Sequence, residues 1–111
     1  MLQIEVTEGE DYAVCRPLGE LDAFTVGRLR ERLGELSRHH RLVIDLSEVP
    51  FIDSAGLGAL IGTIRANRDN GGQVAVACSR PNLQRLLHTA GFDRIVAVRE
   101  QVADALQALD E

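Results

Sequence analysis

Two short runs of almost unbroken apolar residues constrain the fold of this chain most strongly. Residues 42–46 read LVIDL and residues 73–78 read QVAVAC. A strand with one face in water alternates polar and apolar residues, so these runs predict strands that are covered on both faces. Each run is followed by residues with helical spacing. The pattern therefore predicts a sheet with parallel strands joined by helical crossovers.

Shorter patterns place the remaining elements around these two strands. Alternating residues at 2–6 and 12–18 predict a β-hairpin, whose second strand ends or reaches a sheet edge at Pro17 because proline has no amide donor. Residues 94–98 (RIVAV) predict a last short strand. Four apolar stripes predict four helices, the first at about 25–38 with Asp22 or Thr25 as its cap and the third from Pro81 to a C-terminal Gly91. The stripes are Val26, Leu29, Leu33 and Leu36; Leu57, Leu60, Ile61 and Ile64; Leu83, Leu86, Leu87 and Ala90; and Val102, Leu106 and Leu109.

The predicted order of elements is β-β-α-β-α-β-α-β-α. The predicted fold class is therefore α/β, with a mixed sheet, an N-terminal hairpin and four helices. A chain of 111 residues, 45% of them hydrophobic, suits one domain over residues 1–111 with one buried core.

The charge pattern argues against a nucleic-acid partner. The net charge is -5, and the 12 basic residues, all of them arginine, are scattered among acidic residues. Phosphate binding needs a concentrated basic face instead. The apolar runs are too short to span a membrane, and the N-terminal residues MLQIEVTEGE lack the pattern of a signal peptide. We expect a soluble, cytoplasmic protein with no membrane partner.

The cysteines and histidines do not show the pattern of a disulfide or a metal-binding site. Cys15 and Cys78 lie in separate predicted strands, and we expect buried free thiols, since a disulfide is improbable in the cytosol. No metal-ligand spacing is present, so we expect no metal and no cofactor. His39 and His40 are expected at an exposed helix end.

Residues 51–62, FIDSAGLGALIG, are the segment most open to a functional interpretation. Ser54 suits a helix N-cap, because its oxygen can accept a bond from an early helix amide. A cap does not explain Gly56 and Gly58, each of which costs about 1 kcal/mol relative to alanine inside a helix. Two such glycines suggest that something approaches closely there.

Three functional interpretations of the same segment remain beside the cap. A phosphate cradle fits poorly, because the glycine spacing is one residue off and the lysine of a P-loop is missing. A catalytic serine fits poorly as well, because Ile52 replaces the first glycine of a nucleophile elbow and only His39, His40 and His88 could act as base. A modified Ser54 fits best, since a helix N-terminus favours a phosphate and the small neighbours admit a partner.

Three segments in order resemble the anti-sigma factor antagonist family, the STAS domain. GELDAFT (19–25) is similar to the family's G-E-[LI]-D loop, and VIDLSEVPFIDSAGLGALIG (43–62) resembles its strand followed by [IM]-D-S-[ST]-G-[LI]-G. GGQVAVACSRPNLQRLLHTAGFDRI (71–95) resembles the following strand, the third helix and its closing glycine. The matching order and spacing make the resemblance specific over nearly the whole chain.

The resemblance implies a STAS fold and a cytoplasmic switch protein that is not itself an enzyme. In such systems the unphosphorylated antagonist binds an anti-sigma factor and so frees a sigma factor. The anti-sigma factor is also a serine kinase that uses ATP to phosphorylate the antagonist, and a metal-dependent serine phosphatase removes the mark. By position the acceptor is Ser54. The implied partner-binding residues are Glu20, Asp22, Asp53, Ser54, Ala55, Gly56, Leu57 and Gly58.

One residue departs from the family pattern, and one alternative use of the fold stays open. The residue after the acceptor is often serine or threonine, and here it is Ala55. This leaves Ser54 as the single neighbouring hydroxyl and raises the question of whether the kinase accepts alanine there. The alternative is a STAS subunit of a transporter-associated complex, for example in lipid transport, or of a stress-signalling scaffold.

Overall fold

Five strands form one mixed sheet whose spatial order, β1-β2-β3-β4-β5, is also their order along the chain. The computed structural model describes residues 2–36 and 39–110. The strands are β1 Gln3–Glu8, β2 Ala13–Leu18, β3 Arg41–Asp45, β4 Gln73–Ala77 and β5 Ala97–Arg99. The helices are α1 Val26–Glu35, α2 Ser54–Asp69, α3 Pro81–Thr89 and α4 Val102–Ala108, and a 3-10 turn covers Phe92–Arg94. The predicted α/β class and order of elements are confirmed.

The hairpin and the crossovers divide the sheet into an antiparallel and a parallel part. Strands β1 and β2 are antiparallel, and each later pair is parallel. The parallel ladder between β2 and β3 ends at Cys15, opposite Ile44. Pro17 lies beyond that point, where β2 is paired with β1 alone, so its missing amide leaves no gap between parallel strands.

The central strands are apolar throughout because helices cover both faces of the sheet. Leu42 and Ile44 of β3 belong to a core shared with buried residues of α1, α2 and α3. Val43, between them, points to the opposite face and packs with Ala105 and Leu109 of α4. Alternate side chains of one strand thus serve two apolar clusters, which explains the continuous run in the sequence.

Four details differ from the sequence predictions. The first helix begins at Val26 and its described part ends at Glu35, while residues 37 and 38 lie outside the described residues. Ala90 is exposed and does not belong to the α3 stripe. The last strand is shorter and later than RIVAV, because the 3-10 turn already uses Phe92–Arg94. His39 is mostly buried and pairs with Glu8 at 2.7 Å, whereas His40 is exposed as expected.

The two cysteines are buried free thiols: Cys15 lies on β2, Cys78 directly follows β4, and β3 runs between these two strands. Burial raises the pKa of Cys15 to about 11, and the nearby charge of Arg32 only partly opposes the effect. Burial also raises the pKa of Cys78, whose thiol lies 3.7 Å from the carbonyl oxygen of Arg80. Neither group has the lowered pKa of a reactive cysteine.

Candidate functional site

The N-terminus of α2 lies beyond the carboxyl end of β3, and Asp53 caps it. The backbone of Asp53 is extended, and its Oδ1 accepts a hydrogen bond from the amide of Gly56 at 2.9 Å. The expectation that Ser54 is the cap is therefore wrong. Ser54 is the first residue of the helix, and the carboxylate before it satisfies the helix amide that a serine cap would have bound.

The side chain of Ser54 is consequently not needed to cap α2. Its side chain is exposed, and its hydroxyl makes no hydrogen bond to any residue in the described ranges. The backbone amides of Ser54 and Ala55 likewise find no acceptor within those ranges. The helix therefore presents a hydroxyl at its positive end on a rigid backbone, next to the carboxylate of Asp53.

The loop between β2 and α1 is braced by its own side chains. Oδ1 of Asp22 accepts hydrogen bonds from the amides of Phe24 (2.9 Å) and Thr25 (3.0 Å). The hydroxyl of Thr25 accepts from the amide of Asp22 at 3.0 Å and donates to the carbonyl of Glu20 at 2.8 Å. Thr25 occupies the cap position of α1 without a side-chain bond to that helix. This loop, residues 19–25 with the acidic side chains of Glu20 and Asp22, is called the acidic loop below, and these bonds give it a defined shape.

The braced loop is bonded directly to the segment that precedes Ser54. The amide of Leu21 donates to the carbonyl of Phe51 at 2.9 Å, and the amide of Asp53 donates to the carbonyl of Leu21 at 3.1 Å. Leu21 and Ile52 form an isolated parallel β-bridge. These bonds hold the acidic loop and the N-terminus of α2 together as one surface.

The two glycines of the first helical turns have different roles. A Cβ on Gly56 would lie 2.6 Å from the carbonyl oxygen of Leu21 and 2.9 Å from Cγ2 of Ile52. The close approach expected from the sequence is therefore made by the protein's own loop. A Cβ on Gly58 would meet nothing within 4 Å, and Gly58 is exposed one turn after Ser54. Gly58 leaves open space one turn after Ser54, where it lines a groove between α1 and α2.

The histidines do not supply a base for Ser54. His39 and His40 precede β3, so the five-residue strand separates them from Ser54 by roughly 13 Å or more. His88 is bonded through Nδ1 to Asp93 at 2.6 Å on the exposed side of α3. In the described ranges, no group of three or more potential ligand side chains could hold a metal ion. The geometry gives no support for a catalytic serine here.

Sequence reasoning missed two exposed aromatic residues on this surface. Phe24 of the acidic loop is 98% exposed, and Phe51, three residues before Ser54, is 50% exposed. Within the described ranges these are the two large hydrophobic side chains that remain in water. The sequence contained a signal, since Phe24 stands in a polar loop outside every apolar stripe.

The chain belongs to the STAS domain family, whose match covers residues 3–105. An anti-sigma F factor antagonist of Paenibacillus polymyxa is 30% identical over 112 residues, covering 98% of this chain and 96% of that protein. An anti-sigma-B factor antagonist of Staphylococcus epidermidis is also 30% identical, covering 89% of this chain and 94% of that protein. No described helix combines the length and apolar character needed to cross a membrane.

Solved structures show the same fold. An anti-sigma factor antagonist from Mycobacterium paratuberculosis superposes with a TM-score of 0.89 at 28% identity, covering 100% of this chain and 96% of that one. A putative anti-sigma factor antagonist from Thermotoga maritima gives a TM-score of 0.88 at 20% identity, covering 97% and 95% of the two chains. The predicted STAS fold is confirmed.

Proposed function

We propose that this protein is an anti-sigma factor antagonist whose partner binding is switched by phosphorylation of Ser54. The observation that carries the proposal is the exposed hydroxyl of Ser54 at the start of α2, which has no hydrogen-bond partner among the described residues and lies on a surface that hydrogen bonds hold in place. The relatives described above, which are anti-sigma factor antagonists and align over nearly the whole chain, support the same class.

The proposed reaction takes place in the partner's active site. The partner is an anti-sigma factor with serine kinase activity that binds ATP. Oγ of Ser54 attacks the γ-phosphorus of that ATP, the bond to the β–γ bridging oxygen breaks, ADP leaves, and a base of the kinase takes the hydroxyl proton. This chain contributes position: α2 fixes the backbone of Ser54, and the open space at Gly58 lets the kinase approach.

Phosphorylation releases the partner through charge. A phosphate adds roughly -1.5 to -2 charges at neutral pH, beside Asp53 and near the acidic loop. Each unit of negative charge about 6 Å away in the partner's active site, where the nucleotide phosphates lie, adds about 3 kcal/mol of repulsion at an effective dielectric constant near 20. Such a repulsion weakens binding by roughly 100-fold, because 1.4 kcal/mol is tenfold. No change of fold is required.

The proposed partner-binding residues differ in their exposure and in their roles. Glu20, Ser54 and Gly58 are exposed and would contact the partner directly. Asp22 and Asp53 combine a charge with a structural role, since each accepts backbone amides. Ala55 and Leu57 are half-buried at the edge of this face, and Gly56 is buried against the loop, so Gly56 would contribute by holding the loop in place.

The proposal places the chain in a cytoplasmic partner-switching system in which it is a substrate and a binding module, not a catalyst. A serine phosphatase would restore the free hydroxyl. We test the switch by incubating the chain with purified candidate kinases of the same organism and ATP, then locating the phosphate by mass spectrometry. The proposal expects one phosphate on Ser54, none on the Ser54→Ala variant, and unchanged labelling of the Ser79→Ala control, whose hydroxyl-bearing side chain is also exposed. Labelling of Ser54→Ala at the wild-type level would contradict it.

A further inference from the structure

The two exposed phenylalanines belong to two segments that pair with each other just before Ser54. Phe24 follows Leu21 by three residues, and Phe51 precedes Ile52, which is the bridge partner of Leu21. Both aromatic residues are therefore attached to the same short bridge. Single exposed apolar residues are ordinary on a protein surface. Two exposed aromatic residues on segments that are bonded to each other just before Ser54 form a pattern that isolated exposure does not explain.

Phe24 is held in place although its side chain is in water. Its amide donates to Oδ1 of Asp22, and the same oxygen accepts the amide of Thr25. The backbone on which the ring is mounted is thus ordered before any partner arrives. An aromatic side chain has only two rotatable side-chain angles, so little conformational entropy is lost when a partner's pocket immobilises it.

Phe51 extends the apolar surface away from Ser54. It borders a groove of about 490 Å³ between the segment before α2 and the start of α3, with Pro50, Pro81, Leu83 and Leu86 among the lining residues. Arg80 supplies the cationic group of this groove, and its Nε already donates to the carbonyl of Ser47 at 2.8 Å. The apolar area is therefore larger than one ring.

The charges around the two rings are mostly negative. Glu20 and Asp22 lie in the loop that carries Phe24, and Asp53 lies between Phe51 and Ser54. Glu20 is exposed and forms no ion pair within the described ranges. A surface that complements this one would have an apolar pocket bordered by arginine or lysine side chains.

We propose that Phe24 and Phe51 are the aromatic anchors with which this surface docks on the kinase. The inference rests on the proposed function, because the occupant is the protein that phosphorylates Ser54. Its docking face would hold Phe24 in an apolar pocket, with cationic residues at the rim that face Glu20 and Asp22 of the loop and not the active-site position that Ser54 enters. Aromatic residues at the centre of an interface commonly carry most of the binding energy, whereas charges at the rim mainly steer association.

The test separates binding from phosphoryl transfer. Wild type, Phe24→Ala, Phe24→Leu and Gln107→Ala are titrated with each purified candidate kinase by calorimetry, and their Ser54 labelling rates are measured with ATP. Gln107 is an exposed residue of α4, which packs on the opposite face of the sheet, and serves as the control. Because Phe24 is exposed, the melting temperatures of the variants should match that of wild type.

We expect Phe24→Ala to weaken binding at least 10-fold, with a matching rise in the KM for Ser54 labelling. Phe24→Leu should recover part of the loss, and Gln107→Ala should bind like wild type. The loss for Phe24→Ala should persist at high salt, whereas the smaller loss for Glu20→Gln should shrink because salt screens exposed charges.

Two results separate this inference from the proposed function. If wild type is labelled on Ser54 and Phe24→Ala binds the kinase within twofold of wild type, Phe24 is not a docking anchor. The proposed phosphorylation switch is not contradicted by that result. If wild type binds the kinase without labelling of Ser54 and Phe24→Ala weakens that binding, the docking role of Phe24 is supported. The proposed phosphorylation switch is then contradicted.

Discussion

At residue scale, Asp53 and Ser54 divide between them the two roles that a single serine was expected to combine. Asp53 accepts the amide of Gly56 and so caps α2, while the hydroxyl of Ser54 stays free for a partner. A substitution of Asp53 can then remove the helix cap without changing the proposed phosphate acceptor, Ser54. A substitution of Ser54 can likewise change that residue without loss of the cap. Removal of the Ser54 hydroxyl should therefore leave the cap of α2 intact.

Paired substitutions test this division. Asp53→Ala should lower the free energy of unfolding by about 1 kcal/mol, because an amide of the first turn loses its acceptor. Ser54→Ala should change it by less than about 0.5 kcal/mol, as expected for an exposed side chain without partners. Urea denaturation of both variants measures the difference. A larger loss for Ser54→Ala than for Asp53→Ala would contradict the assignment of the cap.

The two glycines of α2 should respond to alanine in opposite directions. Gly56→Ala forces a methyl group against the carbonyl of Leu21 and should cost about 1–3 kcal/mol of stability. Gly58→Ala meets nothing within 4 Å and should stabilise the helix by up to about 1 kcal/mol. Thermal or urea unfolding decides. If Gly58→Ala also weakens kinase binding, that glycine serves the interface at the expense of helix stability.

At element scale, Arg41 ties three distant parts of the chain together. Its guanidinium donates to Asp11 in the hairpin turn at 2.9 Å, and to Asp110 and the carbonyl of Leu106 at the end of α4. Helix α4 spans only seven residues, so packing against the sheet and this contact must hold it. The side chain of Arg41 is 21% exposed, which limits solvent screening.

Arg41→Gln should loosen α4 before the rest of the molecule. We expect hydrogen exchange of the last turn of α4 to quicken, with a global loss of about 1 kcal/mol, because mostly surface ion pairs contribute modestly. Arg85→Gln is the control, since Arg85 is exposed and has no ion pair within the described ranges. Equal exchange in α4 for both variants would show that the contact does not hold the helix.

The elements were predictable from sequence wherever side-chain periodicity determines burial. The runs at 42–46 and 73–78 predicted covered strands, and the stripe Val26, Leu29, Leu33 and Leu36 is buried throughout. Choices between neighbouring residues were not predictable, because Asp53 and Ser54 are both good caps and only the path of the loop decides between them. The role of Gly56 depends on Leu21, which lies 35 residues earlier and becomes its neighbour only in the fold.

At the scale of the whole molecule, the buried thiols make the fold sensitive to alkaline conditions. The folded pKa of Cys15 is about 11 against an ordinary value of 9.0, because burial disfavours the thiolate. Above pH 9 the unfolded chain loses this proton while the folded chain keeps it, so stability falls as pH rises to about 11. The stabilisation from this group is complete below pH 9.

The alkaline loss can be assigned to Cys15 by substitution. Two pH units correspond to about 3 kcal/mol at most, so the free energy of unfolding of wild type should fall by up to that amount between pH 9 and 11. Cys15→Ala should show a smaller fall over the same interval, whatever its stability at pH 7. Urea titrations at several pH values measure both slopes. Identical slopes would mean that other groups cause the alkaline loss.

The whole molecule is proposed to act as a rigid surface whose charge changes while its shape does not. A calorimetric comparison of unphosphorylated and Ser54-phosphorylated protein, titrated with the same kinase partner, tests this claim most directly. We expect phosphorylation to weaken binding by roughly 30-fold or more, with Ser54→Asp showing a smaller loss in the same direction and both forms melting as folded proteins. Equal affinity of the two forms, both folded, would contradict it.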